Sequence, residues 1–294
     1  MKAPSGGLRF FQRVAVGLIA GLLIAAVWLS PFLQPARTAR SEPSGGKIRP
    51  APARKHAAPT AVEKPAPFSL GKGPSPRAAI IIDDLGQDWK AAEELLAMEA
   101  ELTFAVLPHL PHSRRIAEEA HRRGREVLLH LPMEPRDPVA NNPGPGALLS
   151  DMDRDVFRET LRKALDSVPH IVGVNNHMGS KLTEVGWAME LVIDTLKERR
   201  LFWVDSMTSP QSLGYVMAKK LGIGAARRRF FLDNDPSEEA IRETLERFAD
   251  WTVRKGKAIA IGHPHRATRS ALRAALPGIK AREIRIVPVS RLLE

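Results

Sequence analysis

Five short β-like runs in this chain each hand a polar, chemically capable residue over at the carboxyl end. Ala78–Ile82 leads into Asp83 and Asp84, and Val127–Leu129 into His130. Ile171–Val174 leads into Asn175, Asn176 and His177, Leu201–Val204 into Asp205, and Ala258–Gly262 into His263. Runs this continuously apolar read as strands buried on both faces, the pattern of a parallel sheet covered by helices. In barrels of parallel strands, the rim at the carboxyl ends is where an active site is built. Residues placed only to satisfy a core or a surface would have no reason to share that position.

Helix signals alternate with these runs. Strands are predicted at 78–82, 102–107, 125–130, 171–174, 201–204, 229–232 and 257–261, with 284–289 as an eighth strand or an edge piece. Asp88, Ser113, Asp151 or Asp153, Thr183 and Ser209 offer helix starts between them, and Gly124 and Gly256 offer stops. Asp235-Pro236 reads as an N-cap with proline at the first helical position. The long segment 132–150, with Asn141-Asn-Pro-Gly-Pro-Gly146, is a loop of functional length. The alternation predicts an α/β domain over 78–294 built as an irregular (β/α)7–8 barrel, with a doubly wound open sheet as the alternative. No Gly-x-Gly-x-x-Gly or Walker-type loop follows any strand, which argues against a nucleotide site.

Charge separates the chain into unlike parts. The net charge of +11 suggests a nucleic-acid partner, but residues 1–77 hold 12 Lys/Arg against 2 Asp/Glu, and residues 78–294 hold 32 against 31. A globular nucleic-acid binder carries its basic surface on the fold, so no nucleic-acid partner is expected. Cysteine is absent, which excludes disulfides, thiolate metal sites and a cysteine nucleophile.

Residues 1–33 read as a signal anchor or signal peptide. Lys2, Arg9 and Arg13 precede sixteen uncharged residues from Val14 to Leu29, and Trp28 suits a membrane interface. An uncleaved anchor in the bacterial inner membrane through residues 8–33 is expected; cleavage near Ala36 or Ala39 is the alternative. Either places the rest of the chain in the periplasm or otherwise outside the cytoplasm. Residues 34–77, rich in Pro, Ala and Lys/Arg, cannot bury enough apolar area to offset their ordering entropy and read as a disordered linker.

The strand-end residues have stated chemistry. Adjacent Asp83 and Asp84 point in different directions, so one can ligate a metal while the other faces its water; a turn or cap is the plainer role. His130 can ligate, and Glu134, four residues on in a proline-broken loop, can ligate or orient it. Asn175, Asn176 and His177 have the donors to hold a sugar or an oxyanion. Asp205 orients a histidine or caps the next helix. His263, bracketed by Gly262 and Pro264, can titrate near neutrality, whereas His265 reads as a helix-entry residue. His109 and His112 read as rim residues of a solvated loop.

Together these segments resemble the polysaccharide deacetylase superfamily, in its divergent, envelope-associated branch. The resemblance spans about Arg77 to Leu293 and rests on Ile-Asp-Asp-Leu-Gly (82–86), Thr-Phe-Ala-Val-Leu-Pro (103–108), Glu-Val-Leu-Leu-His-Leu-Pro-Met-Glu (126–134), Asn-Asn-His-Met-Gly-Ser (175–180), Val-Asp-Ser (204–206) and Ile-Gly-His-Pro-His (261–265). It implies an irregular (β/α) barrel, with Asp83 as catalytic base, Asp84 and His130 as metal ligands and His263 as general acid. The chain departs from the family in two places. Glu134 stands where a second ligand histidine is expected, and Asn175-Asn176-His177 replaces an Arg-Pro-Pro-like run. The latter removes an arginine that orients the base and offers His177 as a third ligand. The reading is a hydrolase dependent on a divalent metal, zinc foremost, that acts on an acetylated envelope polysaccharide. Glu134, Asn175, Asn176, Asp205 and His265 would support the site or bind substrate. The alternative is a catalytically altered barrel that binds an envelope glycan or protein.

Overall fold

A computed structural model describes residues 75–294. The expected anchor (1–33) and nearly all of the linker (34–77) lie outside the described residues. Among the described residues no helix is long and apolar enough to cross a membrane.

The chain alternates strands and helices: β1 (Arg77–Leu85), α1 (Trp89–Leu96), β2 (Thr103–Val106), α2 (Ser113–Arg122), β3 (Glu126–Met133), α3 (Arg154–Ser167), β4 (Ile171–Met178), α4 (Gly186–Glu198), β5 (Phe202–Asp205), α5 (Gly214–Leu221), β6 (Ala225–Arg227), β7 (Phe230–Phe231), α6 (Glu238–Lys255), β8 (Lys257–Gly262), α7 (Arg266–Ala281) and β9 (Arg285–Ile286). All strand pairs are parallel, in the order β6-β5-β4-β3-β2-β1-β8-β7, with β9 alongside β1.

Strict alternation along each strand divides the core in two. Ile80, Ile82, Phe104, Val106, Leu129, Leu131, Val174 and Trp203 pack outward under the helices, in one large cluster. Ala79, Ile81, Ala105, Leu128, Val204, Ala226, Ile259 and Ile261 point inward and form a smaller core inside the curl of the sheet. Phe202 fills part of this interior because Gly173 opposes it. A Cβ at Gly173 would lie 2.4 Å from the Phe202 ring. Val287, Val289 and Leu292 close the floor, at the amino ends of the strands. That floor is tied down by Val289 N–H donating to Thr103 Oγ1 (3.1 Å) and Ser290 N–H to Glu126 Oε1 (3.1 Å).

The curl is an incomplete barrel, a half-barrel form of the irregular barrel that was expected. The predicted sixth strand (229–232) is the short β7, bonded to Ala260 and Ile261 of β8, and it is preceded by β6, which was not predicted and is bonded to β5. The chain itself spans the seam: Arg228 N–H donates to Asp205 O and Arg229 N–H to Ile259 O, 2.9 Å each. Other boundaries also differ. Ser237, not Asp235, caps α6, and Asp235 instead accepts from Ser237 N–H. Position 112 rather than Ser113 caps α2; Ser113 holds the preceding loop through Leu107 O and Leu110 N–H. The helix expected from Ser209 begins only at Gly214, and the segment after Thr183 is a 3-10 turn followed by α4. Asp88 and Asp153 cap α1 and α3 as expected.

Candidate metal centre

The same alternation that fills the interior also builds the mouth. Moving up each strand by two from an inward apolar residue reaches a functional one. Ile81 leads to Asp83, Leu128 to His130, Gly173 to Asn175 and then His177, and Ile261 to His263. β4 therefore runs on through Asn175, Asn176 and His177, which the sequence suggested would follow the strand. β3 likewise continues through Pro132 to Met133, paired with β4, where a loop was expected.

Asp84 obeys a different rule. A regular strand would turn it outward, but its backbone is left-handed (φ 56°), at the point where the β1–β2 register shifts. Aspartate tolerates this conformation better than most residues, at a cost on the order of 1 kcal/mol. The twist brings both carboxylates to one mouth.

There three donor atoms converge. Asp84 Oδ1 lies 3.1 Å from His130 Nε2 and 2.8 Å from His177 Nδ1, and the two nitrogens are 3.2 Å apart. The protonation pattern follows from the neighbours. Asn175 Nδ2 donates to Asp83 Oδ1 (2.8 Å), which fixes the amide so that its oxygen faces His130 Nδ1 at 2.9 Å. A carbonyl oxygen only accepts, so His130 Nδ1 carries a proton and neutral His130 turns its Nε2 lone pair to the cluster. Asp84 Oδ1 is buried and has no hydrogen-bond partner of acceptable geometry. With His177 Nδ1 also unprotonated, three lone pairs at such spacings would repel one another unless a cation lay among them, whereas a protonated His177 Nδ1 faces Asp84 Oδ1 as a donor. A tetrahedral zinc with bonds of about 2.0–2.1 Å has ligand–ligand edges of roughly 3.3–3.4 Å, close to the spacings seen here. Burial opposes ionisation of Asp84, yet the flanking imidazoles hold its carboxyl well below the usual range. Burial likewise opposes charge on His130, but Asp83 and Asp84 make it hold a proton more tightly. A bound cation would take that proton's place.

Two groups flank the triad. Asp83 is 3 % exposed, and its burial raises its pKa against the opposing pull of His130 and His263. His263 donates from Nδ1 to Asp233 Oδ1 (2.9 Å), while its backbone N–H and Thr268 Oγ1 bond the other oxygen, 2.7 Å each. Its Nε2 faces the mouth, 3.8 Å from Asp84 Oδ2. Burial disfavours the imidazolium, but Asp233 and the nearby Asp84 and Asp83 prevail, and the pKa is pushed up to about 9.

Asp233 was not singled out from the sequence, though it ends the predicted strand 229–232 as the others end theirs. Arg228 was also missed. Its guanidinium donates to Ser206 O (2.6 Å) and Met207 O (3.0 Å), and it interacts electrostatically with Asp83. Positive charge thus reaches the base from the seam, not from the β4 position where the resemblance expects an arginine. Its only sequence signal was the run Arg227-Arg228-Arg229.

Other expected residues are placed elsewhere. Glu134 holds the loop above β3, accepting from Ser150 N–H and Lys181 Nζ at 2.7 Å each, and does not join the donors. Asn176 faces outward and braces β4 to β5 through Ser206 N–H (2.9 Å) and Thr208 Oγ1 (3.1 Å). Asp205 accepts from Met207 N–H, Ser212 Oγ and Tyr215 N–H, the helix-capping alternative, and bonds no histidine. His265 is the exposed residue preceding α7, yet it also groups with Asp233 and His263. A cavity of about 250 Å³ adjoins Asp84 and His177, walled by Leu107, Leu110, Pro132, Pro143 and Pro145.

A curled parallel α/β sheet whose carboxyl rim gathers Asp84, His130 and His177 as a group that could hold a metal ion, flanked by a buried carboxylate and an Asp–His pair, defines a class: a half-barrel α/β domain with a polar rim site. Within that class the chain belongs to the divergent polysaccharide deacetylase family, whose profile matches residues 80–293. It is 37% identical over 219 residues to the uncharacterised Escherichia coli K12 protein YibQ, covering 74% of this chain and 67% of that one. An uncharacterised Haemophilus influenzae protein is 32% identical over 216 residues, 74% of this chain and 76% of its own. Among solved structures, the uncharacterised protein ATU2773 from Agrobacterium tumefaciens C58 superimposes with a TM-score of 0.71 at 26% identity, over 75% of this chain and 90% of that one.

Proposed function

We propose that this chain is a metal-dependent hydrolase that removes acetyl groups from a polysaccharide of the bacterial envelope. The observation that carries this reading is the convergence of Asp84, His130 and His177 within 3.2 Å of one another, with Asp83 and His263 beside them. Asp84, His130 and His177 would hold a divalent cation, zinc by the fit of two imidazoles and a carboxylate, and when bound it would supply Lewis acidity at the rim. Asp83, held by Asn175, takes the proton of the attacking water, and its raised pKa makes it a stronger base. His263 gives its Nε2 proton to the amine nitrogen or alkoxide oxygen as the acyl bond breaks, and Asp233 stabilises the imidazolium before transfer. The apolar wall of Leu107, Leu110 and Pro143 keeps water from the acyl group.

The cationic, apolar first 33 residues and the Pro-rich tether support a domain held outside the cytoplasm. It is anchored in the inner membrane through residues 8–33, or cut free within the same compartment. The near-neutral folded region favours a carbohydrate partner over nucleic acid.

Acetate release from acetylated envelope glycans by the full chain tests the mechanism, before chelation, after it, and after zinc is returned. Release is expected only with metal. Full activity in the metal-free protein overturns it. Stoichiometric zinc with no release from any acetylated glycan favours the alternative role, recognition of an envelope glycan or protein without cleavage.

A further inference from the structure

The seam in the sheet carries a second feature, independent of the hydrolase reading. β6 pairs with β5 and exchanges backbone hydrogen bonds with Glu294 at Ala225, and β7 pairs with the upper half of β8. Beside Lys257–Ile259 the wall therefore opens into a groove of about 410 Å³, lined among others by Tyr215, Arg227, Arg229, Trp251, Lys257 and Glu294. Arg228, whose guanidinium bonds Ser206 O and Met207 O, also borders this groove, and Arg227 and Arg229 on either side of it are exposed.

These two cations are held unlike most others on the surface. The Arg227 guanidinium lies 5.0 Å over the Tyr215 ring, and that of Arg229 lies 4.2 Å over Trp251. Stacking occupies the flat face of a guanidinium and leaves its in-plane N–H groups free for a bidentate partner. Among the described residues neither has a carboxylate within ion-pair distance, whereas Arg122, Arg136, Arg199, Arg242 and Arg282 all do. The acid in the groove, Glu294, is already engaged by Lys257 Nζ and by the Tyr215 hydroxyl, 2.5 Å each. In a folded region holding 32 basic and 31 acidic side chains, two arginines two residues apart, fixed on rings and without an ion-pair partner, are a local surplus of positive charge.

We propose that this groove is a binding site for an oxyanion, a phosphate or a carboxylate, gripped between the guanidinium edges of Arg227 and Arg229. The residues need no rearrangement to accept it, because the rings already hold both forks in place and so reduce the entropy lost on binding.

Arginine footprinting of the full chain with phenylglyoxal, read by peptide mass spectrometry, tests the assignment. Inorganic phosphate and a galacturonate oligomer serve as the two probes. Arg115 is the control: it stacks 3.7 Å over Trp89, but in a cavity lined also by Glu118 and Glu119. Millimolar phosphate or galacturonate should slow labelling of Arg227 and Arg229 together by several-fold and leave Arg115 unchanged. Whichever probe protects names the ligand chemistry. Labelling unaffected by either probe, or protection equal at all three arginines, overturns the proposal. In an Arg227→Gln variant, protection of Arg229 should fall several-fold; if it persists in full, the two arginines do not share a ligand.

Discussion

The floor and the mouth of the curled sheet are built by one rule and have opposite characters. At the floor the inward positions are Ala79, Ala105, Phe202 and Ile259, sealed by Val287, Val289 and Leu292, and the polar atoms there, Thr103 Oγ1 and Glu126 Oε1, are bonded. At the carboxyl ends of β1, β3, β4 and β8 the inward positions are Asp83, His130, Asn175, His177 and His263, and one buried oxygen, Asp84 Oδ1, is left without a hydrogen bond. The floor buries apolar area and should set stability. The mouth pays electrostatic cost for a constellation and should set activity.

The sharpest way to break this contrast is to empty the mouth. His177→Ala removes one of three donors, so acetate release should fall by on the order of a thousandfold, with zinc lost by elemental analysis. The unfolding midpoint of the metal-free protein should hardly move. If the variant loses its fold instead, the mouth is structural and the division fails. His263→Gln should keep zinc and cost about 10²–10⁴-fold in rate, the usual worth of a positioned general acid. Retention of the metal separates it from the first variant.

Asn175→Ala removes the amide that orients both Asp83 and His130, and should cost about 10–100-fold in metal affinity or rate. A test from the other end is Leu292→Ala. It should destabilise the fold by about 2–4 kcal/mol in denaturant titrations, with activity per folded molecule unchanged. The smallest effect is a displaced pH limb. His263 must carry its proton to donate it, and its pKa is about 9, so activity should decline as pH rises through that value. Asp233→Asn removes one of the charges that raise it and weakens the bond to Nδ1, so the midpoint should move down, while Asp84 and Asp83 still hold it up in part. An unmoved limb would remove His263 from the proton-donor role.

The strands were legible because long apolar runs are rare outside buried sheets, and β1, β2, β5 and β8 lie within a few residues of their predicted bounds. The upper ends of β3 and β4 were not, because polar inward residues at a mouth look like a loop in sequence. Pro132 misled for a related reason. Above Leu129 the pairing of β3 with β2 has ended, so a residue without an N–H costs no ladder bond on that side. Asp83, Asp84, His130, His177 and His263 were readable one strand at a time. Their convergence was legible only through the family resemblance, since it depends on the left-handed turn at Asp84, which no local pattern announces. Asp205, Asn176 and Glu134 show the converse. They share the strand-end position, but Asp205 and Asn176 bond neighbouring backbone groups, and Glu134 binds Ser150 N–H and the Lys181 ammonium. Arg228 required the seam, which exists only once the sheet has curled.

That seam has a mechanical consequence. A cylinder whose staves are bonded all the way round has a fixed bore. Here the segment from Arg227 to Phe230 belongs to one neighbour below and to another above, so the two edges can part without breaking a full ladder. Hydrogen exchange should reveal this as amides at Arg228 and Arg229 that exchange before those of β1 and β3, giving the vessel one flexible side through which its rim can yield to a stiff polymer chain.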